Sequence, residues 1–501
     1  MVVVAVAMGR VLPETDKGQD EHDHDDQTDQ IDDAIHVNSP QLRTETPALR
    51  ASSTGAMQIV AAFAQGLSPE RPSPALVSTP MLHRSPAVSC DREDLAALAD
   101  RAGIALSDVP GMAAGTPDAA ALELRRAWLA RAHRPADATL KSPCEGEVSR
   151  LPDGQSIHFG YERDLSANLL ESRTPLCYPV PPGWQSLRVL CRSGQAALSC
   201  LLHLVARESS TLPLTLHHAG RYFETATLLD LWPRQVFAPC DGSPATVDVL
   251  VGEPVHCDGR FGLSVPAHLP RARQALLLDA TMVGLQVDIA PWLDRFDGSF
   301  AAVFRSGLKL DQAGLELANV GIVQLFVRDR GKSDLAAMGA ALQRIRGLTG
   351  SGLTLDELAA LSAPWFLDRP YLDHYTGRVF ANNAALARAI GTRSTLFDDR
   401  CHPSLLSPGA VAPFCAIRLR DGDAAAQRRL LDRVETEIAR RGLALANGGS
   451  FGFRGNRYEL IEPEPQAGQP FLRVAMGYRG GSDRDRIVDL FRELAALPAL
   501  P

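Results

Sequence analysis

SLRVLCRSGQAALSCLLHLVARES, residues 186–209, decides the fold. Its first six residues carry apolar side chains at Leu187, Val189, Leu190 and Cys191, as a buried strand does. Arg192-Ser193-Gly194 makes a turn, and from Gln195 the apolar residues recur at spacings of three and four, the period of a helix. Working outward, TLPLTLHH (211–218) reads as a second strand, and GRYFETATLLDL (220–231) as a turn followed by a helix. TVDVLVGEPV (246–255) and ALLLDATMV (275–283) are short apolar runs suited to buried strands. Strand–helix alternation of this kind predicts an α/β protein with a mostly parallel sheet covered by helices on both faces.

Composition narrows the function classes. The 501 residues are 45% hydrophobic and 22% charged, ordinary for a soluble globular chain, and give room for roughly two to four domains. Net charge is -8 with no basic stripe, which argues against nucleic acid as the partner. No apolar run approaches the ~20 residues a membrane span needs. The opening MVVVAVAM is short and soon turns polar, so no signal peptide is read there. Nine cysteines without a CxxC pair fit a reducing compartment and give no zinc signature; a cytoplasmic protein is expected. The only lysines are Lys17, Lys141, Lys309 and Lys332, so chemistry needing a primary amine has few candidates.

Four regions are expected. Residues 1–88 read as a disordered tail, acidic in EHDHDDQTDQIDD (21–33) and Pro/Ser-rich over 64–90, with too little apolar surface to offset ordering entropy. The His/Asp run is read as solvated. Residues 89–150 form a helical N-terminal module, with helices in DREDLAALADRAGI (91–104) and DAAALELRRAWLARAHR (118–134). Residues 151–400 make the large domain, closing with helices over 333–348 and 379–391. Residues 401–501 make a smaller α/β unit. In it, AIRLRDGD (416–423) and FLRVAMGY (471–478) are strands, and AAAQRRLLDRVETEIARRG (424–442) and DRDRIVDLFRELAAL (483–497) are helices.

Four local features could carry chemistry. Ser193-Gly194-Gln195 sits where a helix begins, so its N–H groups and the helix dipole favour an anion; a tight connection alone would look the same. Tyr222 follows a strand and a turn, a place from which an aromatic can stack on a flat ligand or join a core. Asp279 ends a buried apolar run, where a carboxylate is costly without a partner; a cationic ring nitrogen or a helix start would serve. Lys309 lies among apolar residues, where desolvation favours the neutral amine that Schiff-base chemistry needs; a lysine with its ammonium at the surface is the plainer alternative. His217, His218 and His374 lack metal-ligand companions, and no GxGxxG or P-loop is present.

Taken in order, Tyr161-Glu162-Arg163, Ser193-Gly194-Gln195, Tyr222, Asp279-Ala280-Thr281, Ser306-Gly307-Leu308-Lys309 and Leu472-Arg473-Val474 resemble the motifs of fold-type I pyridoxal-phosphate (PLP) enzymes. They look most like the Cys/Met-metabolism family of cystathionine synthases and lyases, over residues 160–501. Two positions differ from that pattern: Leu308 stands where the family has Thr, and Tyr222-Phe223-Glu224-Thr225 where it has Tyr-Gly-Gly-Thr. Asn447-Gly448-Gly449-Ser450-Phe451-Gly452-Phe453 looks like a substrate-side loop of other fold-type I enzymes.

The resemblance implies a large domain with a mostly parallel sheet, a smaller C-terminal domain and pyridoxal 5'-phosphate as cofactor. Lys309 would hold the cofactor and then move the substrate's Cα proton. Asp279 would keep the ring nitrogen protonated, and Tyr222 would stack on the ring. Ser193, Gly194, Gln195, Thr281 and Ser306 would complete the cofactor site, with Tyr161 and Arg163 reaching in from a neighbouring subunit. Arg473 would fork onto the substrate carboxylate, with Ser450 beside it. The implied activity is β- or γ-elimination or replacement on an amino acid in a homodimer or homotetramer with active sites at the subunit interface. An aminotransferase is the alternative, and a noncatalytic binding protein on the same fold the third reading.

Overall fold

The computed structural model describes residues 91–111, 117–143, 149–240, 244–298, 300–329, 334–391, 394–463 and 469–499. The tail read over 1–88, its His/Asp run, Lys17 and Lys332 lie outside the described residues.

Two helices come first, α1 (Asp91–Arg101) and α2 (Pro117–Asp137). The central layer follows as β1 (Trp184–Cys191), α3 (Gly194–Glu208), β2 (Leu214–Ala219), α4 (Phe223–Asp230), β3 (Phe237–Pro239), β4 (Thr246–Gly252), β5 (Arg271–Asp279), β6 (Phe300–Ser306), the one-turn α5 (Gly307–Leu310) and β7 (Gly321–Arg328). The strands form one sheet in the order β1-β7-β6-β5-β4-β2-β3. Only β7 runs against the rest, pairing antiparallel with both β6 and β1; the other pairs are parallel.

Near-continuous apolar runs make both sheet faces dry, as a parallel sheet requires. Val189, Val249, Val251, Leu277 and Phe304 pack on one side with Leu198, Leu201 and Val205 of α3. That side also takes Met338 and Leu342 of α6 (Leu335–Leu348). Leu190, Leu250, Leu276, Leu278, Val303 and Ile322 face the other way, into a core shared with Leu95, Trp128 and Trp365. The fold class is as expected: α/β, a mostly parallel sheet between helices.

After α7 (Leu355–Leu361), the long α8 (Arg369–Ile390) leads into the smaller unit: β8 (Cys415–Ile417), α9 (Ala424–Arg441), β9 (Leu445–Asn447), β10 (Asn456–Ile461), β11 (Phe471–Ala475) and α10 (Ser482–Ala495). Its sheet order is β8-β11-β10-β9. α8 starts ten residues before the expected 379. Pro370 fits the first turn, where its missing N–H costs nothing. In the run 416–423 the strand ends at Ile417; Leu419 keeps an isolated antiparallel bridge to Phe397, the chain turns at Arg420–Asp421, and Asp423 caps α9.

The N-terminal helices are tied into this body. Trp128 Nε1–H donates to the Ala360 carbonyl at 2.8 Å, and its ring lies 5.7 Å from that of Trp365. Arg454, 2% exposed, pairs with Asp91 and, at 2.7 Å, with Asp94. Without Arg454, Asp91 would keep Arg479 at 3.2 Å but the largely buried Asp94 carboxylate would lose its cation, a charge then poorly hydrated. Arg454→Ala is therefore expected to lower the unfolding free energy by about 3–5 kcal/mol in denaturant titration. Arg101→Ala, which removes a half-exposed pair with Asp368, is expected to cost about 1 kcal/mol or less.

Candidate active site

Six parallel strands present their C-terminal ends along one edge, and the pairing register shows which residues meet there. Cys191 and Ser306 both pair with Gly321 of β7. The turn after β1 therefore lies beside the start of α5. A Cβ on Gly194 would sit 3.2 Å from the Ser306 nitrogen, so glycine lets the two turns approach. Ser193 caps α3, its Oγ accepting from Ala196 N–H at 3.0 Å. Gln195 donates to Thr225 Oγ1 at 3.4 Å, while its own Oε1 is buried without a hydrogen-bond donor among the described residues.

Asp279 closes β5 and pairs with Phe304 of β6. Its Oδ1 accepts the Thr281 N–H at 2.8 Å, and Thr281 Oγ1 accepts the Ser306 N–H at 3.0 Å. These contacts lock the ends of the two central strands together. The carboxylate is 9% exposed. Burial pushes it up to about 6, against the bonds from Thr281.

Among the described residues Asp279 also lacks a cation, a lack it shares only in part with Glu253, which has no arginine but faces His218 at 3.7 Å. The buried carboxylates Asp91, Glu171, Asp311, Asp398 and Glu437 each have an arginine within ion-pair distance. Asp279 has none among the described residues.

Lys309, on α5, shows the converse. No carboxylate lies within ion-pair distance of its amine among the described residues. Burial lowers its pKa, and the positive charge of Arg473 adds to that effect. Lys141 is the contrast: exposed and bonded to Glu162 at 2.8 Å, it is pushed upward, first by that bond. Lys309 Nζ donates to Ser450 Oγ and lies 5.4 Å from the Phe451 ring centre. Ser450 holds φ at 69°, a left-handed conformation rare outside glycine. Gly452 beside it lies so close to α5 that a Cβ would be 2.5 Å from the Lys309 carbonyl oxygen. The loop from the smaller unit is thus seated on the lysine.

Arg473 comes from β11. It pairs with Glu459, its cross-strand neighbour on β10, while its Nε is buried without an acceptor among the described residues. Tyr222, 40% exposed, precedes α4. Burial raises its phenol pKa, and a hydrogen bond with Glu224 adds to this; Asp279 and Arg473 both act on it electrostatically.

The structure thus gathers Ser193, Gly194, Gln195, Tyr222, Asp279, Thr281, Ser306, Lys309, Ser450 and Arg473 around one strand edge. Tyr161 and Arg163 stand apart. Both are exposed, and the Arg163 guanidinium lies 5.3 Å over the Tyr161 ring. Sequence reasoning missed Glu253 and Glu459, took His218 only as a histidine without metal-ligand companions, and had Phe451 only as part of the 447–453 loop. Glu253 follows the apolar run of β4 as Asp279 ends that of β5, so the signal that marked one was present for the other. Glu459 gave none, because its meeting with Arg473 depends on strand register.

No protein-family model and no curated protein matches the chain. Solved structures similar to it include the apo methionine gamma-lyase CalE6 from Micromonospora echinospora, 17% identical, covering 68% of this chain and 90% of that one, with a TM-score of 0.47. Cystathionine gamma-synthase from Xanthomonas oryzae pv. oryzae is 15% identical, covering 75% and 99%, with a TM-score of 0.47. Cystathionine gamma-lyase from yeast is 11% identical, covering 74% and 98%, with a TM-score of 0.49. Among the described residues no helix is long and apolar enough to cross a membrane.

The Asp279 charge carries a stability signature. Because its folded pKa is raised, the folded protein holds a proton that the unfolded chain releases between pH 3.8 and about 6. The cost of ionising it therefore appears as pH rises through that window and stays constant above. Asp279→Asn should stabilise the protein by roughly 2–3 kcal/mol at pH 8, with the gain vanishing below about pH 4, as read by denaturant titration across pH.

Proposed function

We propose that this protein is a PLP-dependent enzyme of the Cys/Met-metabolism type that acts on an amino acid by β- or γ-elimination or replacement. The observation that carries the proposal is the buried Asp279 carboxylate without a cation, on the same strand edge as a desolvated lysine that lacks a carboxylate. The residues fit the cofactor. A protonated ring nitrogen would supply Asp279 with the charge it lacks, and the Lys309 amine is disposed toward the neutral form that a carbonyl requires.

When bound, pyridoxal phosphate supplies an aldehyde for an amine and a ring that draws electron density from the substrate's Cα. The protein's residues would do the rest. The N-terminus of α3, with Ser193, Gly194 and Gln195, and Ser306 at the start of α5 would hold the phosphate. Tyr161 and Arg163 of a neighbouring copy would complete that anion site. Asp279 would accept the ring N–H, with Thr281 fixing the carboxylate. Tyr222 would cover one face of the ring. Arg473 would turn its unpartnered Nε toward the substrate carboxylate, and Ser450 would orient Lys309. Freed from the cofactor, Lys309 would take the Cα proton and return it where the product requires.

The wild-type protein with added pyridoxal phosphate is expected to show a visible absorbance band that borohydride abolishes. Lys309→Ala should lack that band and lose turnover by at least about 100-fold. An amino-acid panel should yield ammonia and a 2-oxo acid without an added oxo-acid acceptor. A borohydride-reducible band persisting in Lys309→Ala would overturn the lysine assignment. Dependence on an acceptor would assign the protein to transamination instead. Arg473→Lys, which loses the planar fork, should raise KM for the amino acid roughly tenfold with a smaller effect on kcat.

A further inference from the structure

Glu253 stands one residue beyond β4. In the register, Ala219 pairs with Gly252 and Gly252 with Leu278, so Gly220, Glu253 and Asp279 emerge abreast from neighbouring strands. Glu253 is 6% exposed. Its Oε2 accepts the Arg221 N–H and its Oε1 the Tyr222 N–H, both at 3.1 Å. His218 Nε2 lies 3.7 Å from Oε1 and is otherwise buried without a hydrogen-bond partner among the described residues. Gly220 leaves the space: a Cβ there would sit 2.2 Å from Glu253 Oε1 and 2.6 Å from His218 Nε2. The Tyr222 ring, by contrast, has little side-chain packing, being 40% exposed with Phe223 as its ring neighbour at 5.4 Å. Its hydroxyl meets Glu224, and the backbone from which the ring springs is the turn that Glu253 holds.

We propose that Glu253 is a positioning residue for the cofactor: its carboxylate anchors the Gly220–Tyr222 turn and so holds the Tyr222 ring over the cofactor ring. This rests on the PLP reading above. A carboxylate suits the task because both its oxygens accept, so two adjacent amides can be held at once. A carboxamide offers one acceptor and turns an N–H group toward the second amide.

The test uses the full chain and two readouts. In the cofactor-free protein, Glu253→Gln should speed amide hydrogen exchange at Arg221 and Tyr222 by roughly tenfold. In the otherwise wild-type protein it should also weaken the Kd for pyridoxal phosphate roughly tenfold. In a Tyr222→Ala background the same substitution should move that Kd by less than about twofold, because the ring it positions is gone. Gly220→Ala, which displaces the carboxylate, should reproduce both effects if Glu253→Gln folds poorly. Unchanged exchange would overturn the proposal, as would an equal loss of affinity in both backgrounds. A wild-type protein that binds no pyridoxal phosphate would overturn the PLP reading instead, and the exchange measurement would still report whether Glu253 holds the turn.

Discussion

A carboxylate held out of water without a cation is the constraint on which the rest of this structure depends. Asp279 is placed by β5, a strand buried on both faces, and two amide and hydroxyl contacts do not repay the hydration it loses. Elsewhere the chain neutralises its buried acids with arginine, as at Arg305–Asp311 and Arg346–Glu171. The exceptions, Asp279 and Glu253, both lie where the six parallel strands end, and of the two only Glu253 has a histidine within ion-pair distance. Lys309, on the exit turn of the strand after Asp279, is left as unneutralised as Asp279. Among the described residues, neither Asp279 nor Lys309 has the ion pair that would ordinarily satisfy it.

The rest of the edge is arranged around that pair. Strand register brings the Ser193–Gly194 turn against Ser306, and Thr281 joins Asp279 to the same turn. The smaller unit contributes from the other side, seating the strained Ser450 turn on Lys309 and bringing Arg473 close enough to shift the lysine electrostatically. The site therefore belongs to neither sheet alone. The N-terminal helices join the two through Arg454, whose partners Asp91 and Asp94 lie more than 350 residues away in sequence.

Much of this was legible in the sequence, for physical reasons. Buried parallel strands must be continuously apolar, so ALLLD and TVDVLVG stand out, and a charge terminating such a run is conspicuous. The strand–turn–helix at 186–209 announced the start of α3 in the same way. What stayed hidden depends on pairing across distance. Glu459 meets Arg473 only through the β10/β11 register, and the turn held by Glu253 is visible only when β2 and β4 are side by side. The start of α8 was missed because Pro370 was not taken as a first-turn residue.

The protonation of the ring nitrogen tests the central claim most directly. Pyridoxal phosphate labelled with 15N in its ring, bound to the wild-type protein, is expected to give the nitrogen resonance of a protonated pyridinium at pH 8. In Asp279→Asn the resonance should move to that of the neutral ring. A neutral ring nitrogen in the wild type, or one indifferent to the substitution, would contradict the account.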